Sequence, residues 1–297
     1  MPEAIRKVNV IGHLNPDTDS ICSAIAYAYL KNKLGNTDIY EARRAGSVNR
    51  ETAFALKHFG FAEPELITTV TPQIKDCEVQ KQDGIDAGMS LFAAWSRMRE
   101  TGTDTLCITD EQDNLSGLIA VKDIANANLD IFDTEVIAES ATSYANIVST
   151  LNGEMLLGDP QATVTEGSVR VGTTPEMMED TVKKGDLVLV TNRYETQQFA
   201  VECDASCIVV CCGAHVSPQV TASAKRHGCA IIATPYDTYA ASRLICMSIP
   251  VSAKMHRDGI VKLSVNTSVD DAKKTIASSR HRFFPVIDED GKYKGLV

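Results

Sequence analysis

The sequence predicts an α/β protein in which short buried strands alternate with helices. Lys7 to Ile11 alternates in polarity and is rich in β-branched residues, as strands are, and small and apolar residues from Ile21 to Leu30 predict a buried helix after it. Three continuous β-branched runs between residues 186 and 234 are typical of strands buried on both faces of a parallel sheet. From residue 91, a helix, strand, turn, strand and helix follow one another and predict an additional α+β module.

The composition is that of a globular protein, and its charge narrows the classes of partner. The 297 residues are enough for two or three domains, with 44% hydrophobic and 23% charged residues. The formal net charge of -10 disfavours nucleic acid, because binding a phosphate backbone needs clustered Lys and Arg. No apolar run approaches the roughly 20 residues of a membrane span, and no secretory signal follows Met1, so we expect a cytoplasmic protein that does not bind membranes.

The nine cysteines are expected to be buried, reduced thiols, since their neighbours are apolar, as in Val209-Val210-Cys211-Cys212. Cys203, Cys207 and Cys211 are evenly spaced, which could suggest a metal site. They lie in a β-branched stretch, however, where a spacing of four does not place side chains on one helical face.

The segment from Gly12 to Ser20 is the strongest candidate for chemistry. It places His13, Asp17 and Asp19 on a tight loop between the first strand and the first helix, and ligands of open α/β sheets bind where strands end. Imidazole and carboxylate ligands suit Mn²⁺, Co²⁺ or Mg²⁺. Asn-Pro-Asp is also a common turn, and Asp19 or Ser20 could simply cap the helix, so the residue types alone leave both interpretations open.

The string from His13 to Ala28, HLNPDTDSICSAIAYA, closely resembles the opening motif of the family II inorganic pyrophosphatases, members of the DHH phosphoesterase superfamily. Ala45 to Gly60 resembles the loop and helix that follow in that family. The resemblance implies that His13 and Asp17 bind one metal ion and that Asp19 helps to bridge to a second. It further implies Mn²⁺ or Co²⁺ as cofactor, with Mg²⁺ accompanying the substrate. No other side chain in the chain is assigned a catalytic role.

A second resemblance begins near residue 71. The predicted strand Thr105 to Asp110, a polar turn, the strand Leu118 to Val121 and a helix from Asp123 follow the order of a CBS (cystathionine β-synthase) module. Ala277 to Val297 repeats part of this pattern, and such self-similarity supports the assignment. Two CBS modules normally pair about a pseudo-twofold axis, and the cleft between them commonly binds an adenine nucleotide.

The CBS resemblance also indicates which residues would contact that nucleotide. Many nucleotide-binding modules follow the second strand with Thr/Ser-x-x-Asp, whose Asp binds ribose hydroxyls. Here Ala120, Val121, Lys122 and Asp123 stand at that place, so the acid is present and the hydroxyl is missing. Lys122 could approach a phosphate or simply be solvated. The run Arg280-His281-Arg282-Phe283 suits phosphate neutralisation and base stacking, with a solvated basic turn as the alternative.

The β-branched strands between the two CBS-like segments, with the helices that follow them, resemble a DRTGG domain. The place of its Asp-Arg-Thr-Gly-Gly motif is occupied by Thr191 to Thr196, which lacks the acid and the glycines. We therefore assign it no ligand. In its family setting this domain mainly contributes a dimer contact, and a homodimer is expected.

The combined order predicts the N-terminal part of a DHH catalytic domain in residues 1–70, a first CBS module in 71–144, a DRTGG-like domain in 145–250 and an incomplete second CBS module in 251–297. This order resembles the CBS-containing family II pyrophosphatases. It implies hydrolysis of diphosphate to two phosphates, regulated by AMP, ADP, ATP or diadenosine polyphosphates.

The remaining metal ligands and the substrate domain of that family are expected in sequence beyond Val297, so the chain is expected to be a truncated form without activity of its own. Two alternatives remain open. The protein could be another DHH phosphoesterase with a different substrate, or a non-catalytic sensor of adenine nucleotides.

Overall fold

The computed structural model describes residues 6–35, 38–129, 134–279 and 282–297, which fall into two compact units, Met1–Pro72 and Gln73–Val297. Each unit is described by itself. The first contains β1 (Lys7–Ile11), α1 (Thr18–Lys33), β2 (Ile39–Arg44), α2 (Arg50–Phe59) and β3 (Glu65–Leu66). The second begins with α3 (Leu91–Thr101), β4 (Thr105–Thr109), β5 (Leu115–Ala120), α4 (Val121–Leu129), α5 (Val136–Glu139), α6 (Tyr144–Thr150), β6 (Glu154–Leu157), β7 (Val169–Val171) and α7 (Pro175–Met178). It continues with β8 (Leu187–Val190), α8 (Tyr194–Glu202), β9 (Cys207–Val210), α9 (Pro218–His227), β10 (Ala230–Ala233), α10 (Thr238–Leu244), β11 (Leu263–Ser264), α11 (Val269–Ser278), β12 (Pro285–Ile287) and β13 (Tyr293–Leu296).

The first unit is a parallel three-stranded sheet in the order β1-β2-β3. The apolar residues Ile21, Ala24 and Ala28 recur at helical spacing on α1 and are buried, which gives this helix its inward face. The predicted strand and helix are therefore confirmed. The helix begins at Thr18, earlier than predicted, because Asp17 accepts the Ser20 N–H and caps its first turn.

The middle of the second unit is a five-stranded sheet in the order β6-β10-β9-β8-β7. Strands β7 to β10 are parallel, and the residues of β8 and β9 are all buried, as their continuous apolar runs predicted. Strand β6 pairs antiparallel with β10 and was not predicted. Helices α8 and α9 pack against each other after β8 and β9.

The two CBS-like segments have matching geometry. Ser90 caps α3 and Ser268 caps α11, and each helix leads to an antiparallel hairpin, β4-β5 in one and β12-β13 in the other. In each hairpin an aspartate, Asp110 or Asp288, accepts two backbone N–H groups of the turn. The same number of residues separates the members of each pair, so the repeat seen at the end of the sequence extends over the whole module.

The hairpins of the two CBS copies meet at their tips. Each hairpin also pairs with a segment near the start of the other copy. Asn114 bridges Lys292 at the hairpin tips, Gln80 pairs antiparallel with Leu296, and Leu118 pairs in the same way with His256. Glycines permit the last two contacts. A Cβ on Gly117 would lie 2.9 Å from the His256 carbonyl oxygen, and one on Gly295 would lie 2.5 Å from that of Gln80. The two modules are therefore paired about an approximate twofold axis.

One buried hydrophobic cluster joins the first CBS copy to the DRTGG-like sheet. It contains Leu91 of α3 and Leu106 of β4 together with Leu189 of β8 and Val209 of β9. The opposite face of the sheet packs on a separate cluster that includes Val188 and Ile208. Because side chains alternate along a strand, β8 and β9 serve both clusters. In the part of the chain that the structure describes, no helix is both long and apolar enough to cross a membrane.

The cysteines differ in exposure, which predicts an order of reactivity. Burial raises the pKa of Cys107 and Cys211 to about 11 and that of Cys229 to about 12, and it raises the pKa of Cys207 as well. A raised pKa lowers the thiolate fraction at pH 8, and the thiolate is the reactive form. The exposed cysteines are Cys22, Cys77 and Cys212; the buried ones are Cys107, Cys207, Cys211 and Cys229; Cys203 and Cys246 are intermediate.

We therefore expect the three exposed thiols to react quickly with Ellman's reagent at pH 8 in the native chain. The four buried thiols should react only after unfolding in guanidinium, which provides the total of nine as the reference. Absorbance of the released thionitrobenzoate measures both groups. Equal rates for buried and exposed thiols would contradict the placement of the cysteines.

Candidate nucleotide cleft and metal-ligand loop

The predicted nucleotide-contacting turn joins β5 to α4. Strand β5 ends at Ala120, α4 begins at Val121, and the Asp123 Oδ2 atom accepts the Ala120 N–H at 2.9 Å. The first N–H groups of a helix have no partner within it, so this carboxylate satisfies one of them and is fixed in orientation. Ala120 has no side-chain oxygen of its own, in agreement with the missing hydroxyl of the CBS pattern.

A cleft of about 810 Å³ opens beside this turn and receives side chains from both CBS copies. Its size is within the usual range for small-molecule sites. We call it the CBS cleft. The first copy contributes Asp104, Thr105, Leu118, Ala120, Val121, Lys122, Asp123 and Asn126 to its lining. The second copy contributes His256, Asp258, Gly259, Ile260, Val261, Arg282 and Phe283.

The CBS cleft combines apolar surface with charges of both signs. Ile260, Val261 and Phe283 offer apolar surface of the kind that a flat base can contact. Lys122 and Arg282 supply cations from the two copies, and cations of this kind bind phosphate groups. The arrangement can therefore hold a ligand that has an aromatic base, hydroxyl groups and phosphate.

The structure brings together six of the eight predicted nucleotide-contacting residues: Ala120, Val121, Lys122, Asp123, Arg282 and Phe283 line the CBS cleft. Arg280 and His281 lie outside the described residues. Nucleotide binding by all eight stays a prediction at this point.

His256 is a cleft residue that sequence reasoning missed. Its Nε2 atom lies 2.9 Å from Asp123 Oδ1, and its backbone pairs with Leu118 in both directions. The residue lies at the start of the second CBS copy, before β11, and belongs to no motif. The repeat could have revealed it, because His256 pairs with β5 as Gln80 pairs with β13.

The loop that follows β1 brings two of the three predicted metal ligands together. His13 Nε2 lies 3.5 Å from Asp17 Oδ1, and both side chains are exposed. The hydrogen bond from the Ser20 N–H and the neighbouring His13 keep the pKa of Asp17 below its ordinary value, so this carboxylate is ionised at neutral pH. A Cβ on Gly12 would clash with the Ser20 hydroxyl, so glycine permits the loop to approach α1.

Asp19 is placed differently from the other two predicted ligands. It lies in the first turn of α1, and its carboxylate accepts a hydrogen bond from Ser23 at 3.4 Å. Among the residues that the structure describes, no three His, Cys, Asp or Glu side chains are grouped to hold a metal ion. The imidazole of His13 and the carboxylate of Asp17 suit Mn²⁺ or Co²⁺, and two donors fit part of such a site. The alternative that Asp19 or Ser20 caps the helix is wrong, since Asp17 is the cap.

Comparisons with known proteins identify two kinds of domain in the chain. The CBS domain model matches residues 84–130 and 251–297, and the DRTGG domain model matches residues 146–248. The chain is 34% identical over 291 residues to a cobalt-dependent inorganic pyrophosphatase of Clostridium perfringens, covering 98% of this chain and 53% of that protein. It is 26% identical over 296 residues to a probable manganese-dependent inorganic pyrophosphatase of Thermotoga maritima, covering 99% of this chain and 54% of that protein.

A solved structure covers the second unit. It contains the CBS and DRTGG domains of the regulatory region of Clostridium perfringens pyrophosphatase complexed with its activator, diadenosine tetraphosphate. The TM-score is 0.71 at 31% sequence identity, over 76% of this chain and 98% of that one. The chain spans about half the length of the curated relatives that it matches over nearly all its residues.

The fold defines a chain in which a parallel-sheet segment precedes paired CBS modules and a DRTGG domain. The sequence identity and the structural match together identify the family to which the chain belongs. The chain belongs to the CBS-domain-containing family II inorganic pyrophosphatases.

Proposed function

We propose that the protein that contains this chain hydrolyses diphosphate to two phosphates. Adenine nucleotides bound in the CBS cleft regulate this hydrolysis. The cleft is the main support, because both CBS copies contribute to one cavity that combines apolar surface with cations. The similarity to a cobalt-dependent pyrophosphatase over 98% of the chain supports the activity. The complex of a similar regulatory region with diadenosine tetraphosphate supports adenine nucleotides as the ligand class.

Different residues of the cleft contact the ribose, the phosphates and the base of the nucleotide. The Ala120 N–H holds the Asp123 carboxylate in place through Oδ2. This carboxylate accepts hydrogen bonds from the ribose hydroxyls. Lys122 and Arg282 neutralise the phosphates, with Arg280 adding positive charge and His281 a hydrogen-bonding ring in the same run of sequence. Phe283 and the neighbouring apolar side chains contact the base.

The N-terminal loop supplies ligands to the metal centre of the same protein. His13 and Asp17 hold one ion and Asp19 contributes to a second, with Mn²⁺ or Co²⁺ as the resident metal and Mg²⁺ accompanying diphosphate. Bound divalent ions neutralise phosphoryl oxygens and lower the pKa of a coordinated water. The chain's part in this chemistry is to hold the ions: Gly12 and the Asp17 cap fix the two facing donors at the start of α1.

Calorimetric titration of the 297-residue chain tests the regulatory half of the proposal. We expect saturable binding of AMP, ADP, ATP and diadenosine tetraphosphate, and weaker binding of CMP, whose smaller base buries less apolar surface. Heats equal to dilution for all adenine ligands would contradict the proposal.

A phosphate-release assay tests the catalytic half. Three ligands are too few for a pair of metal ions, so we expect no release of phosphate from diphosphate by the 297 residues alone with Mn²⁺ or Co²⁺. The His13→Ala variant provides the baseline for contaminating activity. Release by the native chain that this variant abolishes would show that the chain needs no further ligands.

The proposed assembly is a homodimer, in which the DRTGG domain contributes a contact between copies. Light scattering after size exclusion measures the mass in solution directly. A monomer at micromolar concentration would contradict this part of the proposal.

A further inference from the structure

Both carboxylate oxygens of Asp123 have partners within the protein. Oδ2 lies 2.9 Å from the backbone nitrogen of Ala120, and Oδ1 lies 2.9 Å from Nε2 of His256. Only 14% of the Asp123 side chain is exposed, whereas the figure for His256 is 60%. His256 and Asp123 both line the CBS cleft, so a ligand that reaches the carboxylate also meets the imidazole bonded to it.

The two contacts differ in how readily they can be broken. The Ala120 N–H belongs to the backbone at the start of α4, so loss of that contact would leave a backbone donor of the helix start without its partner. The His256 ring can leave by rotation of its side chain, because the residue is anchored through its backbone. Its N–H and carbonyl pair with Leu118 at 2.8 and 3.0 Å, independently of the ring.

We propose that His256 competes with the ribose of the nucleotide for Asp123. Without nucleotide, the imidazole bonds the Oδ1 atom that a ribose hydroxyl needs. The ring rotates away when the nucleotide binds. This inference rests on the proposed function, since it assumes that adenine nucleotides enter the CBS cleft. His256 therefore lowers the affinity for ligands with a ribose diol and leaves ligands without one unaffected.

The bond between His256 and Asp123 also connects the CBS cleft to the segment of chain that carries His256. The residue lies between the 3-10 helix Val251–Ala253 and β11, at the start of the second CBS copy and close to the end of the DRTGG domain at residue 248. Loss of its bond to Asp123 removes a side-chain tie between this segment and the β5-α4 turn, 133 residues away in sequence. Ligand binding is thus coupled through one side chain to the segment that begins the second CBS copy.

The test compares AMP with 2′,3′-dideoxy-AMP in calorimetric titrations of the native chain and the His256→Ala variant. A partly exposed contact between a basic and an acidic side chain contributes up to about a fivefold factor in an equilibrium constant, so we expect AMP to bind more tightly to the variant, by up to about fivefold. The dideoxy ligand should bind both proteins equally. His227→Ala is the matched control, because His227 makes a similar bond to Asp204, 2.8 Å long, in the DRTGG domain.

A second measurement follows the imidazole itself. The ring signals of His256 in a carbon-proton NMR spectrum are identified by their loss in the His256→Ala variant. We expect AMP to shift them as the ring leaves Asp123, and the dideoxy ligand to shift them much less. The variant serves only to identify the signals, and the shift itself is measured on the native chain.

Each other outcome overturns the inference in a distinct way. Unchanged or weaker AMP binding to His256→Ala would mean that the ring does not compete, and equal gains for both ligands would mean that the diol is not involved. If the native chain bound no AMP, the proposed function would fail and the inference with it. If it bound AMP normally and the variant behaved like the native chain, the inference alone would fail.

Discussion

Asp123→Asn weakens AMP binding to the chain by at least tenfold. Asparagine keeps the shape of the side chain and one acceptor oxygen, but it loses the charge that strengthens hydrogen bonds from the ribose hydroxyls. Hydrogen bonds to charged groups contribute about 1.5–3 kcal/mol and those to neutral groups about 0.5–1.5 kcal/mol, so the difference summed over two ribose hydroxyls corresponds to roughly tenfold or more in the dissociation constant. Calorimetric titration of the native and variant chains measures the difference.

Asp237→Asn is the matched control for this experiment. Asp237 also accepts a backbone N–H at the start of a helix, that of Ala240 at 2.7 Å, but it caps α10 and does not line the CBS cleft. The control should bind AMP as the native chain does. Equal weakening in both variants would indicate a general effect on helix starts, and an unchanged affinity in Asp123→Asn would remove Asp123 from the ligand site.

Leu189→Ala lowers the stability of the first CBS copy although Leu189 belongs to the DRTGG-like sheet. The side chain is fully buried in the cluster that also contains Leu91 and Ala94 of α3. Removal of a buried leucine side chain costs about 2–5 kcal/mol, through lost burial and the cavity left behind. Trp95, the single tryptophan, lies on α3 and reports the unfolding of the CBS copy by its fluorescence.

We expect the urea midpoint followed by Trp95 to fall by about 1 M in Leu189→Ala. Leu156→Ala is the matched control, since Leu156 lies on β6 of the same sheet but is 46% exposed, and surface substitutions usually change stability by about 0.5 kcal/mol or less. An unchanged Trp95 midpoint, with a second transition seen by circular dichroism, would mean that the CBS copy and the sheet unfold separately.

The sequence predicted the elements of this fold well where a single physical pattern decided them. The strand Lys7–Ile11 and the buried strands β8 and β9 follow from β-branched runs, whose residue types leave little choice of structure. The CBS copies followed from their repeat. Strand β6 was missed because Glu154–Leu157 is a short edge strand with alternating exposure, and its place depends on pairing with the distant β10.

The candidate sites show a similar division. Lys122, Asp123, Arg282 and Phe283 were predicted because they lie in recognisable turns of the repeat, and the structure brings them to one cleft. His256 was missed because its contact with Asp123 depends on the pairing of two segments far apart in sequence. The alternative that Asp19 or Ser20 caps the first helix left out Asp17, since several acids and a serine in succession offer competing caps and only the backbone geometry selects Asp17.

A crystal structure of the chain grown with AMP would show whether the nucleotide occupies the CBS cleft. We expect one AMP molecule there, with its ribose hydroxyls on Asp123 and its phosphate between Lys122 and Arg282. The His256 ring should then point away from Asp123. AMP bound at another place, or an empty cleft at AMP concentrations that saturate the chain in solution, would contradict the account.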